Sequence, residues 1–118
     1  MQITNPEQKS QILAAMSDQD SARIIQTLRS QAKGVVAIGN ELQIPVSSMY
    51  RKIAILKQAG LVFAKSYEIT EDGKRQELYL SSVLEVKIDF GGSDAVIDLV
   101  PSEETVNRIW LKLFGGTR

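Results

Sequence analysis

Between positions 46 and 58 the polar side chains are gathered: Ser47, Ser48, Tyr50, Arg51 and Lys52 fall close together and no acid interrupts them. On a helix advancing about 100° per residue, Met49 with Val46, Ile53 and Leu56 makes an apolar side. Arg51 then lies nearly opposite, flanked by Ser47, Ser48, Ala54 and Ile55, with Tyr50 and Lys52 on the shoulders. A guanidinium presents two parallel N–H donors, a shape that matches the O6 and N7 edge of guanine. Small hydroxyls at a helix start reach phosphate oxygens together with the free N–H groups there. Further along, Lys65, Lys74 and Arg75 add charge suited to phosphates, which strengthens binding without reading a base. Each group also has a plainer role: Arg51 and Lys52 as solvated surface, Tyr50 packed on the helix flank, Lys74 and Arg75 as charges at a hairpin tip.

Other chemistries are poorly supplied. The chain has no cysteine and no histidine, which removes disulfides, thiolate sites, the commonest general base and the commonest metal ligand together. Asp18 with Asp20, and Glu71 with Asp72, lack the pattern of a cation-binding loop and read as cap and turn residues. No metal or cofactor is expected. Without a paired nucleophile and base, a phosphate-cradling glycine loop or a carboxylate dyad, an enzyme is not expected either. No run approaches the ~18 apolar residues of a membrane span and no signal-like segment opens the chain, so a soluble cytoplasmic protein is the default.

Net charge is zero over 118 residues, which by itself weighs against a polyanionic partner, because phosphate binding is driven by counterion release at basic surfaces. The charges are nevertheless sorted. Residues 42–67 carry Arg51, Lys52, Lys57 and Lys65 and no acid, whereas Glu77, Glu85, Asp89, Asp94, Asp98, Glu103 and Glu104 outnumber Lys87, Arg108, Lys112 and Arg118 in residues 77–118. One basic segment is set against an acidic remainder.

The elements that must position these residues follow from periodicity and breaks. Asn5 and Pro6 open a first helix over residues 5–16 with Ile12, Leu13 and Met16 as its apolar stripe. Ser17 with Asp20 reads as the cap of a second helix reaching about Ser30 and burying Ile24, Ile25 and Leu28. Residues 31–34 form a linker, and Val35 is placed in a short strand. Ile38 and Leu42 mark a third helix, Gln43, Ile44 and Pro45 break it, and a fourth runs over 46–59, ended by Gly60 in a left-handed C-cap. Gly39 lies where the two helices approach most closely. Residues 61–69 and 75–80 are strands joined through Asp72-Gly73, a strong hairpin signal. Residues 82–90 alternate, with Leu84, Val86, Ile88 and Phe90 on one side, turn through 91–94, and pair with 95–100. Ser102 caps a last helix whose stripe is Val106, Ile109, Trp110, Leu113 and Phe114.

Helix, tight turn, helix and β-hairpin is the layout of a winged helix. The run Ile38-Gly39, Leu42-Gln43-Ile44-Pro45, Ser47-Ser48-Met49-Tyr50-Arg51-Lys52-Ile53, Ala59-Gly60-Leu61-Val62, Thr70, Asp72-Gly73-Lys74-Arg75 and Tyr79 resembles the winged helix-turn-helix of the ArsR-like transcription regulators, over roughly residues 20–82. Gly39 stands where that family usually has Ala, and Gln43 where it often has Gly.

The expected fold is α+β, one domain over 1–118: a winged-helix core at 17–81, with 1–16 and 82–118 as extensions. The resemblance implies a regulator that binds double-stranded DNA, with helix 46–59 in the major groove and wing 62–80 on the backbone. Ser47, Ser48, Tyr50, Arg51, Lys52, Lys65, Lys74 and Arg75 are its expected contacts. It further implies a homodimer formed by the first and last helices through Ile12, Leu13, Met16, Ile109, Trp110, Leu113 and Phe114, unless the last helix only covers the second hairpin. Metal sensing through Cys and His, common in that family, has no residues here. The alternative function is a winged helix serving as a protein-interaction module.

Overall fold

The structure, a computed structural model, describes the backbone of residues 1–114 and the side chains through Arg108. In chain order the elements are β1 (Gln2–Ile3), α1 (Pro6–Met16), α2 (Ser21–Thr27), α3 (Val35–Leu42), α4 (Val46–Gln58), β2 (Val62–Ile69), β3 (Arg75–Ser81), β4 (Val83–Asp89), β5 (Val96–Pro101) and α5 (Glu103–Phe114). β2 and β3 form a two-stranded wing, and β1, β5 and β4 form a separate antiparallel sheet in that order. This is the expected α+β winged helix-turn-helix with an added hairpin and terminal helix. Among the described residues no helix is long and apolar enough to cross a membrane.

The helices close on one core. Ile12 of α1, Ile24 of α2 and its C-cap Leu28, Ile38 of α3, Met49 and Leu56 of α4, and Leu61, Val62, Val83 and Ile97 beyond them are almost wholly buried. Each such side chain stabilises the fold by roughly 1.5–3 kcal/mol relative to exposure. Ile12 therefore belongs to the interior of its own subunit, and its expected contact with a partner is withdrawn. Leu13 and Met16 also pack against this core, half-buried. The expected contacts at Ile109, Trp110, Leu113 and Phe114 lie outside the described side chains.

Local chemistry explains most of the boundaries. The Asn5 carboxamide oxygen accepts from Gln8 N–H at 3.0 Å and caps α1. At the other end of α4, Leu61 N–H donates to Leu56 C=O and Gly60 N–H to Lys57 C=O, both at 3.0 Å, with Gly60 at φ +80°. That pair of bonds satisfies the last carbonyls of the helix as a Schellman motif does. Pro45 stands one position before α4, as its N-cap, with φ −55° and ψ 140°.

Four expectations are corrected. The second helix is shorter than predicted, and its cap does not form: the Ser17 hydroxyl donates instead to Ala14 C=O at 2.6 Å, and Asp20 makes no side-chain cap bond. A local acceptor in the preceding turn outcompetes the cap. Val35 begins α3, and the isolated bridge to the wing is made by Lys33 with Tyr79. In β4 a bulge between Val83 and Glu85 breaks the alternation, so Val83 is buried and Leu84 exposed, while Phe90, beyond the end of the strand, is exposed as well. Val46, placed on the inner side of α4, is also exposed. The short β1, which the sequence reading omitted, is held by its pairing with β5 and by Leu99 N–H donating to Met1 C=O at 2.7 Å.

The turn between α3 and α4 is the tightest joint. Ile44 N–H donates to Gly39 C=O at 2.9 Å, and Gln43 adopts φ 60°, the left-handed region a glycine would occupy at less strain. A Cβ at Gly39 would stand 2.8 Å from Ile44 O and 3.3 Å from Met49 Cγ. Gly39→Ala gains up to about 1 kcal/mol of helix propensity, but overpacking against backbone costs about 1–3 kcal/mol. The variant is expected to unfold at lower denaturant, and a midpoint equal to or above the parent's would show that the joint has slack.

Candidate nucleic-acid interface

α4 carries the outward side chains that the sequence singles out. Ser47, Tyr50, Arg51, Ala54 and Ile55 are exposed along one side, and Ser48 is half-buried. Tyr50 is 59% exposed, so its ring is not packed away on the helix flank. Among the described residues Arg51 makes no ion pair, so its guanidinium is open to a ligand. The opposite side, Met49, Ile53 and Leu56, is core, so amphipathicity alone turns the exposed groups outward.

Lys52 departs from the expected interface. Its ammonium lies 2.6 Å from Asp18 and 3.3 Å from Asp20, and its side chain is only 14% exposed. It ties α4 to the turn between α1 and α2 and is withdrawn from the outward face. Asp20 also meets Arg23 at 3.0 Å, and Arg23 donates to the Leu42 carbonyl at 2.8 Å, near the C-terminus of α3. Three helices are joined through this one cluster. The hydrogen bond from Lys52 holds the Asp18 carboxyl below its usual value, aided by Asp20 N–H, and the bond to Asp18 raises the Lys52 ammonium above its own. From sequence alone, Asp18 and Asp20 read as caps because their partner lies more than thirty positions away.

The wing divides the remaining cations. Lys74 and Arg75 stand near its tip, beside Asp72 at 3.9 Å and Glu77 at 3.2 Å, and the Arg75 guanidinium lies over the Tyr67 ring at 4.0 Å. Thr70 N–H donates to Lys74 C=O at 2.8 Å and Gly73, at φ +80°, donates to Thr70 C=O at 2.9 Å, closing the turn that presents them. Lys65 sits elsewhere: it is 4.0 Å from Glu104 of α5, at the far side of the wing.

A cleft of about 350 Å³ runs between α4 and the wing, lined by Val35, Tyr50, Thr70, Lys74, Arg75, Gln76 and Tyr79 among others. It brings Tyr50, Lys74 and Arg75 together and leaves Ser47, Ser48, Arg51, Lys52 and Lys65 outside its lining. Gln76 and Tyr79 were not foreseen. Tyr79 lines the cleft from β3, and its backbone is fixed by the bridge to Lys33. Burial, reinforced by Glu77 and Tyr50, holds its phenol above the usual value. Among the described residues no cluster of three or more carboxylates is placed to hold a metal ion. The arrangement suits hydrogen bonding and stacking against an extended polar surface.

Comparison of the sequence with protein-family models and with curated proteins gives no match. Among solved structures the chain is similar to NolR from Sinorhizobium fredii, at 18% identity, with 98% of each chain covered and a TM-score of 0.51. It is also similar to HlyU from Vibrio cholerae N16961, at 16% identity over 98% of each chain, with a TM-score of 0.44. The overlay with NolR agrees with the winged-helix fold over nearly the whole chain.

Because Asp18 is depressed in the folded chain, the stability it contributes is complete above its ordinary value of 3.8 and is lost as pH falls through the lower, folded value. Lys52 behaves in the opposite sense: its contribution is complete below 10.5 and is lost as pH rises through its raised value. Asp18→Asn is expected to lower stability near neutral pH by roughly 1 kcal/mol, with the gap closing as pH drops below 3.8. A gap unchanged across that acid range in urea titrations would deny the carboxylate charge any part.

Proposed function

We propose that the protein is a transcription regulator of the ArsR-like type that binds double-stranded DNA sequence-specifically as a homodimer, with α4 in the major groove and the wing on the backbone. The observation that carries this reading is the exposed Arg51, which makes no ion pair among the described residues, on a helix whose other face is locked into the core. Small neighbours, Ser47 and Ala54, let such a helix approach base edges closely, and Arg51 can then engage a guanine bidentately. Ser47 and Ser48 lie at the helix start, where N–H groups and hydroxyls suit phosphates. Lys74 and Arg75, across the cleft, suit the flanking backbone. A two-fold protein reads two half-sites about one DNA turn apart.

A second reading is favoured by a specific observation: the wing cations stand beside acids, and α4 exposes Val46, Tyr50 and Ile55. That surface also fits a protein partner, as an interaction module would use it.

Affinity for duplex DNA across a salt series separates the two. A DNA reader loses about 0.9 log units of affinity per log unit of salt for each phosphate contact. Arg51→Ala is expected to relax preference at one base pair by about 1–3 kcal/mol, while Lys74→Ala weakens all sequences alike and lowers the salt slope by about one. Undetectable binding at low salt, or both variants binding as the parent does, would favour the interaction module and remove α4 from the groove.

A further inference from the structure

The wing leaves the body of the protein as a lever. Its root is fixed where Ser81 N–H donates to Leu28 C=O at 2.8 Å, and a little further out Lys33 and Tyr79 exchange both main-chain bonds, at 3.0 and 2.8 Å. Among the described residues no main-chain bond joins the wing to the body beyond Tyr79. Toward the tip, Gln76 rests on Gly34 by the far end of a flexible side chain, which gives way easily. From Tyr79 to Arg75, where β3 begins, the strand runs roughly 14 Å at about 3.4 Å per residue. A turn of about 10° at Tyr79 therefore carries the tip cations by roughly 2 Å, enough to break a hydrogen bond to a phosphate.

The outermost tie is itself held by a side chain. Lys33 Nζ donates to Thr27 Oγ1, at the end of α2, at 2.8 Å, and to the Glu41 carboxylate of α3 at 2.9 and 3.2 Å. The Thr27 hydroxyl donates to the same carboxylate and closes a ring of three side chains. Thr27 first, and Lys33 after it, hold the Glu41 carboxyl below its usual value. Lys33 thus meets α2 and α3 with its ammonium and the wing with its main chain.

We propose that Lys33 is a positioning residue: gripped by Thr27 and Glu41, it sets the angle of the wing and so brings Lys74 and Arg75 to the duplex that α4 reads. The inference rests on the DNA-binding reading above and assigns the aim of the wing to side chains behind it. Lys33 is poorly suited to be one more phosphate contact. Its ammonium has acceptors for all three N–H donors, and its side chain is only 19% exposed. An exposed pair such as Lys33 with Glu41 contributes little to global stability, but a lever is sensitive to small losses at its root.

The two roles predict opposite signs for Glu41→Ala, which frees Lys33 and removes a negative charge. If Lys33 were a phosphate contact, E41A would strengthen binding to a random-sequence duplex. As a positioning residue, it predicts that E41A weakens that binding about three-fold and lowers the salt slope toward that of K74A. On the K74A background the same change should cost less, because the contact it acts through is already gone. Amide hydrogen exchange supplies a readout without DNA. Tyr79 N–H, which donates to Lys33 C=O, should exchange about three-fold faster in E41A and in K33M, while Met49 and Leu56 in the core keep the protection of the parent. E41A binding as tightly as the parent or more tightly would overturn the positioning role, and so would unchanged exchange at Tyr79. Undetectable binding by the parent would overturn the DNA-binding reading instead, and exchange at Tyr79 would still decide whether Glu41 holds the wing.

Discussion

The direction in which α4 leaves the core depends on one close approach, the Gly39 carbonyl receiving the Ile44 N–H with no room for a side chain between them. The bond spans five residues and allows only one hand of turn, which is why Gln43 accepts a left-handed backbone although it is not glycine. Direction is then set, but rotation about the helix axis is not. Rotation follows from burial of Met49, Ile53 and Leu56 and from Lys52, drawn inward by two carboxylates on the turn before α2. Arg51 faces outward as a consequence of where its neighbours go.

Lys52 also shows what helical periodicity conveys and what it omits. Periodicity puts it on a shoulder of α4, and a shoulder residue can face either way. The choice is made by Asp18 and Asp20, which no local pattern connects to residue 52. The elements that were legible are those whose signals are local: Asn5 and Pro6 at one start, Gly60 at one end, Asp72-Gly73 in a turn, alternation in two hairpins. The errors arise where distant groups decide. The Ser17 hydroxyl finds Ala14 before it can cap α2, β1 exists only because β5 lies beside it, and the bulge at Leu84 turns that one side chain outward and Val83 inward while Val86 and Ile88 keep the inner side.

Electrostatics decides between the two functions. Zero net charge and wing cations beside acids make for weak steering, so a duplex would be held by a short list of contacts on α4 and the wing tip. Exposed pairs of this kind contribute little to stability, and their partners can exchange a carboxylate for a phosphate at small cost. The ion cluster behind α4 is of a different kind, since its members are mostly shielded and fix the geometry of the exposed side.

The most direct measurement is a titration of the isotope-labelled protein with duplex DNA, followed by backbone amide resonances. A helix that enters a groove predicts shifts concentrated at residues 46–55 and at 70–75 in the wing, with β1 and β5 undisturbed. Shifts confined to the sheet, or absent at every position while the protein remains folded, would contradict the account.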